Sequence, residues 1–149
     1  MSLDWRFHHI GIAVRDIVVA RDVYAQLGFD CSEIMLNPTQ NVQLVFCRGS
    51  GPTVELVAPV DERSPCISYL KRVGPGPYHT CYYCDDLEKS LEQLKQMGIK
   101  YKVIAKPQPE TPSGQIRLMF LLIPACGLIE LIETRCSPQE TGKGHKTSS

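Results

Sequence analysis

Apolar and polar positions alternate through residues 7–14, FHHIGIAV, so that His9, Gly11 and Ala13 share one face and His8, Ile10, Ile12 and Val14 the other. Such a strand has a bulky apolar side for a core and, on its other side, a histidine beside small residues that suits a cavity wall. From 16 to 27 the period lengthens to that of an amphipathic helix, and strands are predicted again at 31–36, 41–47 and 53–58. A second run of elements follows: a strand at 77–84, a helix at 86–97, and strands at 100–105, 115–123 and 127–133. In that helix Leu87, Leu91, Leu94 and Met97 fall on one stripe. Between the two runs, DERSPCISYLKRVGPGP offers a short helix at 64–72 and a Gly-Pro linker. CRGSGPT reads as a hairpin turn, and the prolines and glycine of KPQPETPSG, 106–114, predict a loop at the edge of a binding site.

The two runs are copies of one unit. Asp16 and Gly28 follow His9 at the same intervals at which Asp86 and Gly98 follow His79, and each glycine suits a left-handed helix end. VQLVF at 42–46 corresponds to IRLMF at 116–120, and VELV at 54–57 to IELI at 129–132. The fold expected is α+β: tandem βαβββ modules, about 7–60 and 77–134, forming a curved mixed sheet around a central trough within one domain, 7–134.

Composition narrows the partners. The chain of 149 residues carries 16 basic and 16 acidic side chains, which leaves no basic footprint for nucleic acid. No apolar run approaches membrane-spanning length, and the start lacks a signal-peptide pattern. Seven cysteines without framework spacing read as reduced thiols in a cytoplasm. Cys81 and Cys84 form a CxxC, but on a strand they point to opposite faces. The polar stretch 135–149 reads as a disordered tail.

The duplication gives the candidate chemistry its force. Glu55 and Glu130 hold equivalent places in the two units, as do His9 and His79. If the units pack about a pseudo-two-fold axis, all four side chains converge. Unpaired carboxylates in such a trough would be costly, and a divalent cation removes that cost. Imidazole with carboxylate suits first-row metals, so Co, Ni, Mn, Zn or Fe is expected. Four ligands leave two octahedral positions for water or substrate, as a catalytic site requires. His8, of opposite parity, is expected at the surface or behind the ligands. Gln43 and Arg117 are also repeat-equivalent, and both are expected to line the trough as polar substrate contacts.

Residues 7–134 resemble the vicinal-oxygen-chelate (glyoxalase/bleomycin-resistance/dioxygenase) superfamily, with the likeness greatest to methylmalonyl-CoA epimerases. HIGIAVRDI, VELVAPVDERSP, YHTCYYCDDL and GLIELIE carry it. The resemblance implies metal binding at His9, Glu55, His79 and Glu130, although many epimerases have Gln at the place of Glu55. It implies an isomerase that removes a proton beside a thioester carbonyl through an enolate, an acyl-CoA or other thioester as substrate, and a homodimer. Glu130 is the expected base. Some epimerases set a second acid on the strand that here reads NVQLVF, and the matching position is taken as Gln43, which cannot titrate. Glyoxalase I of the bacterial type shares the four-ligand set, but where it has arginine and asparagine for glutathione this chain has Ala13 and Pro59. A non-catalytic binding or antibiotic-resistance module is the other alternative.

Overall fold

The computed structural model describes residues 2–109 and 116–134. The first unit contains β1 (Arg6–Ala13), α1 (Ile17–Gln26), β2 (Asp30–Cys31), β3 (Met35–Asn37), β4 (Val42–Arg48) and β5 (Val54–Pro59). After α2 (Cys66–Arg72) come β6 (Gly76–Cys84), α3 (Leu87–Gln96), β7 (Lys102–Pro109), β8 (Ile116–Ile123) and β9 (Gly127–Thr134). Among the described residues all strands join one nine-stranded sheet in the order β2-β4-β5-β1-β6-β9-β8-β7, with β3 also on β4. β1 and β6 meet antiparallel at the centre. Each has its own module's last strand parallel on its other side, β5 beside β1 and β9 beside β6. This is the duplicated βαβββ arrangement that the repeat predicts.

Both long helices start alike. The Asp16 carboxylate accepts from the Val18 and Val19 N–H groups, and Asp86 accepts from Lys89 N–H, which satisfies donors that a helix start leaves free. Both stop at a glycine in the left-handed region, Gly28 at φ 95° and Gly98 at φ 70°. α1 packs Ile17, Ala20 and Tyr24 over Val45, Cys47, Leu56 and Ala58. α3 packs Leu87, Leu91 and Leu94 over Met119, Leu121 and Leu131. The opposite sheet face carries the site. α2 covers one part of it, with Cys66 and Leu70 packed against Ala13, Val42 and Val57. The small Ala13 is therefore room for a helix, not for a ligand.

Two expected elements differ. The strand predicted at 31–36 is broken into β2 and β3, because Ser32 turns its hydroxyl to the Phe46 N–H and the chain re-pairs with β4 only from Met35. The loop predicted from 106 begins later, since β7 runs on to Pro109. An edge strand tolerates proline, because one side of its backbone has no partner to lose. Among the described residues β7 pairs only with β8, with register shifts between Val103 and Gln108. The rest of that loop and the expected tail lie outside the described residues. Among the described residues no helix is long and apolar enough to cross a membrane.

Candidate active site

Cross-strand register explains how four distant residues meet. One row across the sheet reads Phe46, Glu55, Gly11, His79, from β4 through β5 and β1 to β6. A second reads Phe120, Glu130, Cys81, His9, from β8 through β9 and β6 to β1. In each row a small residue separates a glutamate of one module from a histidine of the other, so the long side chains can reach over it. Gly11 is the clearer case: a Cβ there would fall within the His79 ring. This accounts for the glycine in the opening strand.

The four side chains converge with their ligand atoms within 4.8 Å of one another. His9 Nε2 lies 3.1 Å from His79 Nε2, 3.3 Å from Glu130 Oε2 and 3.5 Å from Glu55 Oε2. His79 Nε2 lies 3.1 Å from Glu130 Oε2 and 3.9 Å from Glu55 Oε1. All four residues are buried. Burial opposes a charge on His9, but Glu130 and Glu55 outweigh it and push the imidazole up to about 9. Burial also opposes the Glu130 carboxylate, which the His79 and His9 imidazoles hold below the usual carboxylate range. Among the described residues, His79 Nδ1 is buried without a hydrogen-bond partner, and the buried Glu130 Oε2 faces the two imidazole Nε2 atoms. Two buried carboxylates and two imidazole Nε2 atoms aimed at one point fit a divalent cation.

Aromatic rings hold the histidines. Phe46 meets His9 edge-on with centroids 5.6 Å apart, and its repeat equivalent Phe120 meets His79 at 5.5 Å. Both rings end the matched segments VQLVF and IRLMF, so the repeat alignment already contained this signal. Beside the four polar residues opens a cavity of about 590 Å³, within the range of small-molecule sites. Leu44, Phe46, Tyr83, Ile132 and the β3 residues Met35 and Leu36 line it.

Two expected contacts are elsewhere. Gln43 shares its side of β4 with Val45 and Cys47, which pack under α1, and the trough-facing neighbour is Leu44. Arg117 likewise shares its side of β8 with Met119 and Leu121 under α3. Its guanidinium donates to Glu133 Oε1 at 2.9 Å and Oε2 at 2.7 Å, and to both Glu88 oxygens. Strand parity is the reason: the trough face of β4 and β8 is the one carrying Phe46 and Phe120, and Gln43 and Arg117 lie an odd number of residues from them. His8 stands behind a ligand histidine, one of the two places expected for it, with its Nδ1 2.6 Å from His9 Nδ1. A bulge between Phe7 and His9 turns its ring towards the trough side, where it meets His9, Phe46 and Tyr83.

Residues 8–120 match the Glyoxalase/Bleomycin resistance protein/Dioxygenase superfamily. The chain belongs to this superfamily. It is 30% identical over 130 residues to the mitochondrial methylmalonyl-CoA epimerase of Bos taurus, covering 85% of this chain and 73% of that one. It is 28% identical over 118 residues to the ethylmalonyl-CoA/methylmalonyl-CoA epimerase of Cereibacter sphaeroides, covering 78% of this chain and 87% of the other. Among solved structures, a variant Streptomyces coelicolor methylmalonyl-CoA epimerase in complex with 2-nitronate-propionyl-CoA superposes with a TM-score of 0.70 at 26% identity, over 91% of this chain and 100% of that one. These neighbours are the epimerases that the quoted motifs resemble.

Proposed function

We propose that this superfamily member is a metal-dependent epimerase of acyl-CoA thioesters, acting at the carbon beside the thioester carbonyl. The convergence of His9, Glu55, His79 and Glu130 on one buried point carries this reading, and its kinship to epimerases of malonyl-type CoA esters supports it. When bound there, a divalent cation would polarise the thioester carbonyl and stabilise the enolate left by loss of the adjacent proton. The four named residues hold it. Phe46, Leu44 and Ile132 exclude water from the acyl group, which strengthens each electrostatic contact in the site.

Glu130 takes the proton at a carboxylate oxygen. Inversion needs a group on the other side of the trough to give a proton back. Gln43 cannot serve, since its side of β4 faces α1, and Leu44 offers no proton. Among the described residues, Glu55, the pseudo-symmetric partner of Glu130 in the same cluster, is the carboxyl group placed to do so when protonated. The same pair of carboxylates is what a glyoxalase I-type lyase would use, and that is the second reading.

Exchange at the α-carbon of (2R)- and (2S)-methylmalonyl-CoA in D₂O, followed by NMR with added Co²⁺, tests the proposal. Wild type should exchange and invert both isomers. Glu130→Gln and Glu55→Gln should each lower inversion by about 10²- to 10⁴-fold. No exchange with any thioester, alongside turnover of a glutathione hemithioacetal, would replace the epimerase with the lyase.

The proposed assembly is a homodimer. Val18, Val19, Val23 and Leu27 leave an apolar face of α1 exposed, which a second copy would cover. The proposed setting is a reducing cytoplasm, where Cys47, Cys66, Cys81 and Cys84 remain buried thiols.

A further inference from the structure

Each ligand histidine is preceded by a bulged residue. The β1–β6 register passes over His8 between Phe7 and His9, and passes over Tyr78 between His79 and Pro77. A bulge sets two successive side chains on nearly the same side of a strand. His8 therefore stands against the His9 ring at a centroid distance of 4.8 Å, and Tyr78 against His79 at 4.6 Å. The two bulges are equivalent, but their chemistry is not. His8 Nδ1 lies 2.6 Å from His9 Nδ1, so one imidazole donates its N–H to the other. His79 Nδ1 is buried with no hydrogen-bond partner among the described residues.

The direction of the His8–His9 bond follows from the site. A neutral imidazole that offers its Nε2 lone pair to a cation must carry its proton on Nδ1. His9 Nε2 is the atom aimed at Glu55, Glu130 and His79. Its Nδ1–H then donates, and His8 Nδ1 accepts. Phe46 at 6.0 Å and Tyr83 at 4.5 Å meet the His8 ring edge-on and hold the acceptor in place.

We propose that His8 is a positioning residue that fixes the tautomer and orientation of His9 for cation binding, a task that none of the described residues performs for His79. The proposal rests on the metal reading of the four-residue site. Outer partners of ligand histidines typically change metal affinity by about 10–100-fold.

Two substitutions separate the hydrogen bond from the ring. His8→Phe keeps an aromatic ring between Phe46 and Tyr83 but removes the acceptor. His8→Asn loses the ring but sets an amide oxygen near the place of Nδ1. Co²⁺ affinity by titration calorimetry should fall about 10–100-fold in His8→Phe and stay near wild type in His8→Asn. In Zn²⁺-loaded protein labelled with ¹⁵N-histidine, the His9 Nδ1 proton should be slow to exchange in wild type and His8→Asn, and fast in His8→Phe. Far-UV circular dichroism establishes that each variant is folded. Equal affinity and equal exchange in wild type and His8→Phe would overturn the role of His8 while leaving the metal site standing. Loss of affinity in His8→Asn but not in His8→Phe would reduce His8 to ring packing and overturn it as well. A wild type that takes up neither Co²⁺ nor Zn²⁺ would remove the site reading and this inference together.

Discussion

The two modules repeat one plan, and the places where they part show which features the plan requires. Each row across the sheet needs a small residue between glutamate and histidine. The first module supplies Gly11, over which the His79 ring lies directly, and the second supplies Cys81, which tolerates a side chain next to His9. Each helix must be sealed to its sheet. α1 relies on apolar packing and leaves Val18, Val19 and Val23 exposed, whereas α3 is also tied down by charge. There Glu133 Oε2 accepts the Leu87 N–H at 2.8 Å while Arg117 bridges Glu133 to Glu88. The duplication thus conserves geometry at the centre and lets chemistry vary at the periphery.

The largest expected effect comes from the central rows. Gly11→Ala puts a methyl where the His79 ring lies, so the ring must leave and the proposed cation site loses a ligand. Metal affinity should fall beyond the roughly 10–100-fold that outer partners command. Cys81→Ala, at the matching place, removes only a sulfur and should leave affinity close to wild type. Calorimetric titration with Co²⁺ on both variants checks this, and equal losses would mean that the two rows are not distinguished by side-chain room.

Next in size is the clasp on α3. Arg117→Met leaves Glu133 buried beside the start of the helix without its cation. Breaking a buried ion pair costs about 3–5 kcal/mol, and less here because the Arg117 side chain is 20% exposed. Urea unfolding should register the loss, with exchange at the substrate α-carbon unchanged. Gln43→Met, at the equivalent place in the first module, should alter neither.

The pH dependence of the metal-free protein is smaller and isolates His9. Burial opposes its charge, yet Glu130 and Glu55 raise it from 6.5 to about 9. A raised imidazole stabilises the fold fully below about pH 6.5, and that stabilisation is lost as pH rises through about 9. Glu130 runs the other way: its lowered value contributes above about pH 4.5 and is lost as pH falls. Metal-free protein should therefore lose up to about 2–3 kcal/mol between pH 6.5 and 9, read as a fall in Tm. Saturating Co²⁺ should flatten this slope, because the cation then compensates the same carboxylates. A slope that persists in His9→Gln would assign it to another group.

The repeat made most of the site legible in the chain. Matching His9 with His79 and Glu55 with Glu130 anticipated four residues that lie far apart in sequence and meet in space. Strand alternation alone failed in two ways. It cannot see a bulge, so it left His8 between the surface and a place behind the ligands, and the extra residue in β1 decides for the second by setting His8 against His9 Nδ1. It also does not say which face of a strand is which unless an anchor is named. For β4 and β8 the anchors were available in Phe46 and Phe120, the last residues of the matched segments, and counting back from them places Leu44 and Leu118 in the trough. Polarity drew attention to Gln43 and Arg117 instead, although a charged residue on a helix-facing side is unexceptional when two carboxylates await it.

That counting yields the smallest expected effect, a change at Gln43 that should do nothing. If Gln43 faced the trough, Gln43→Glu would supply an acid opposite Glu130 and speed inversion by some part of the 10²- to 10⁴-fold that such groups contribute. In the structure its neighbours along the same side of β4 are Val45 and Cys47 beneath α1, and across the sheet it pairs with Leu36 and Ala58. A carboxylate there lies on the far side of the sheet from Glu55 and Glu130, with the backbone of β4 between. The ratio of inversion to α-carbon exchange on (2R)- and (2S)-methylmalonyl-CoA should therefore be the same in wild type and Gln43→Glu. A faster inversion in the variant would mean that β4 presents its other face to the substrate. In that case the symmetry relating Phe46 to Phe120 would no longer describe the working enzyme.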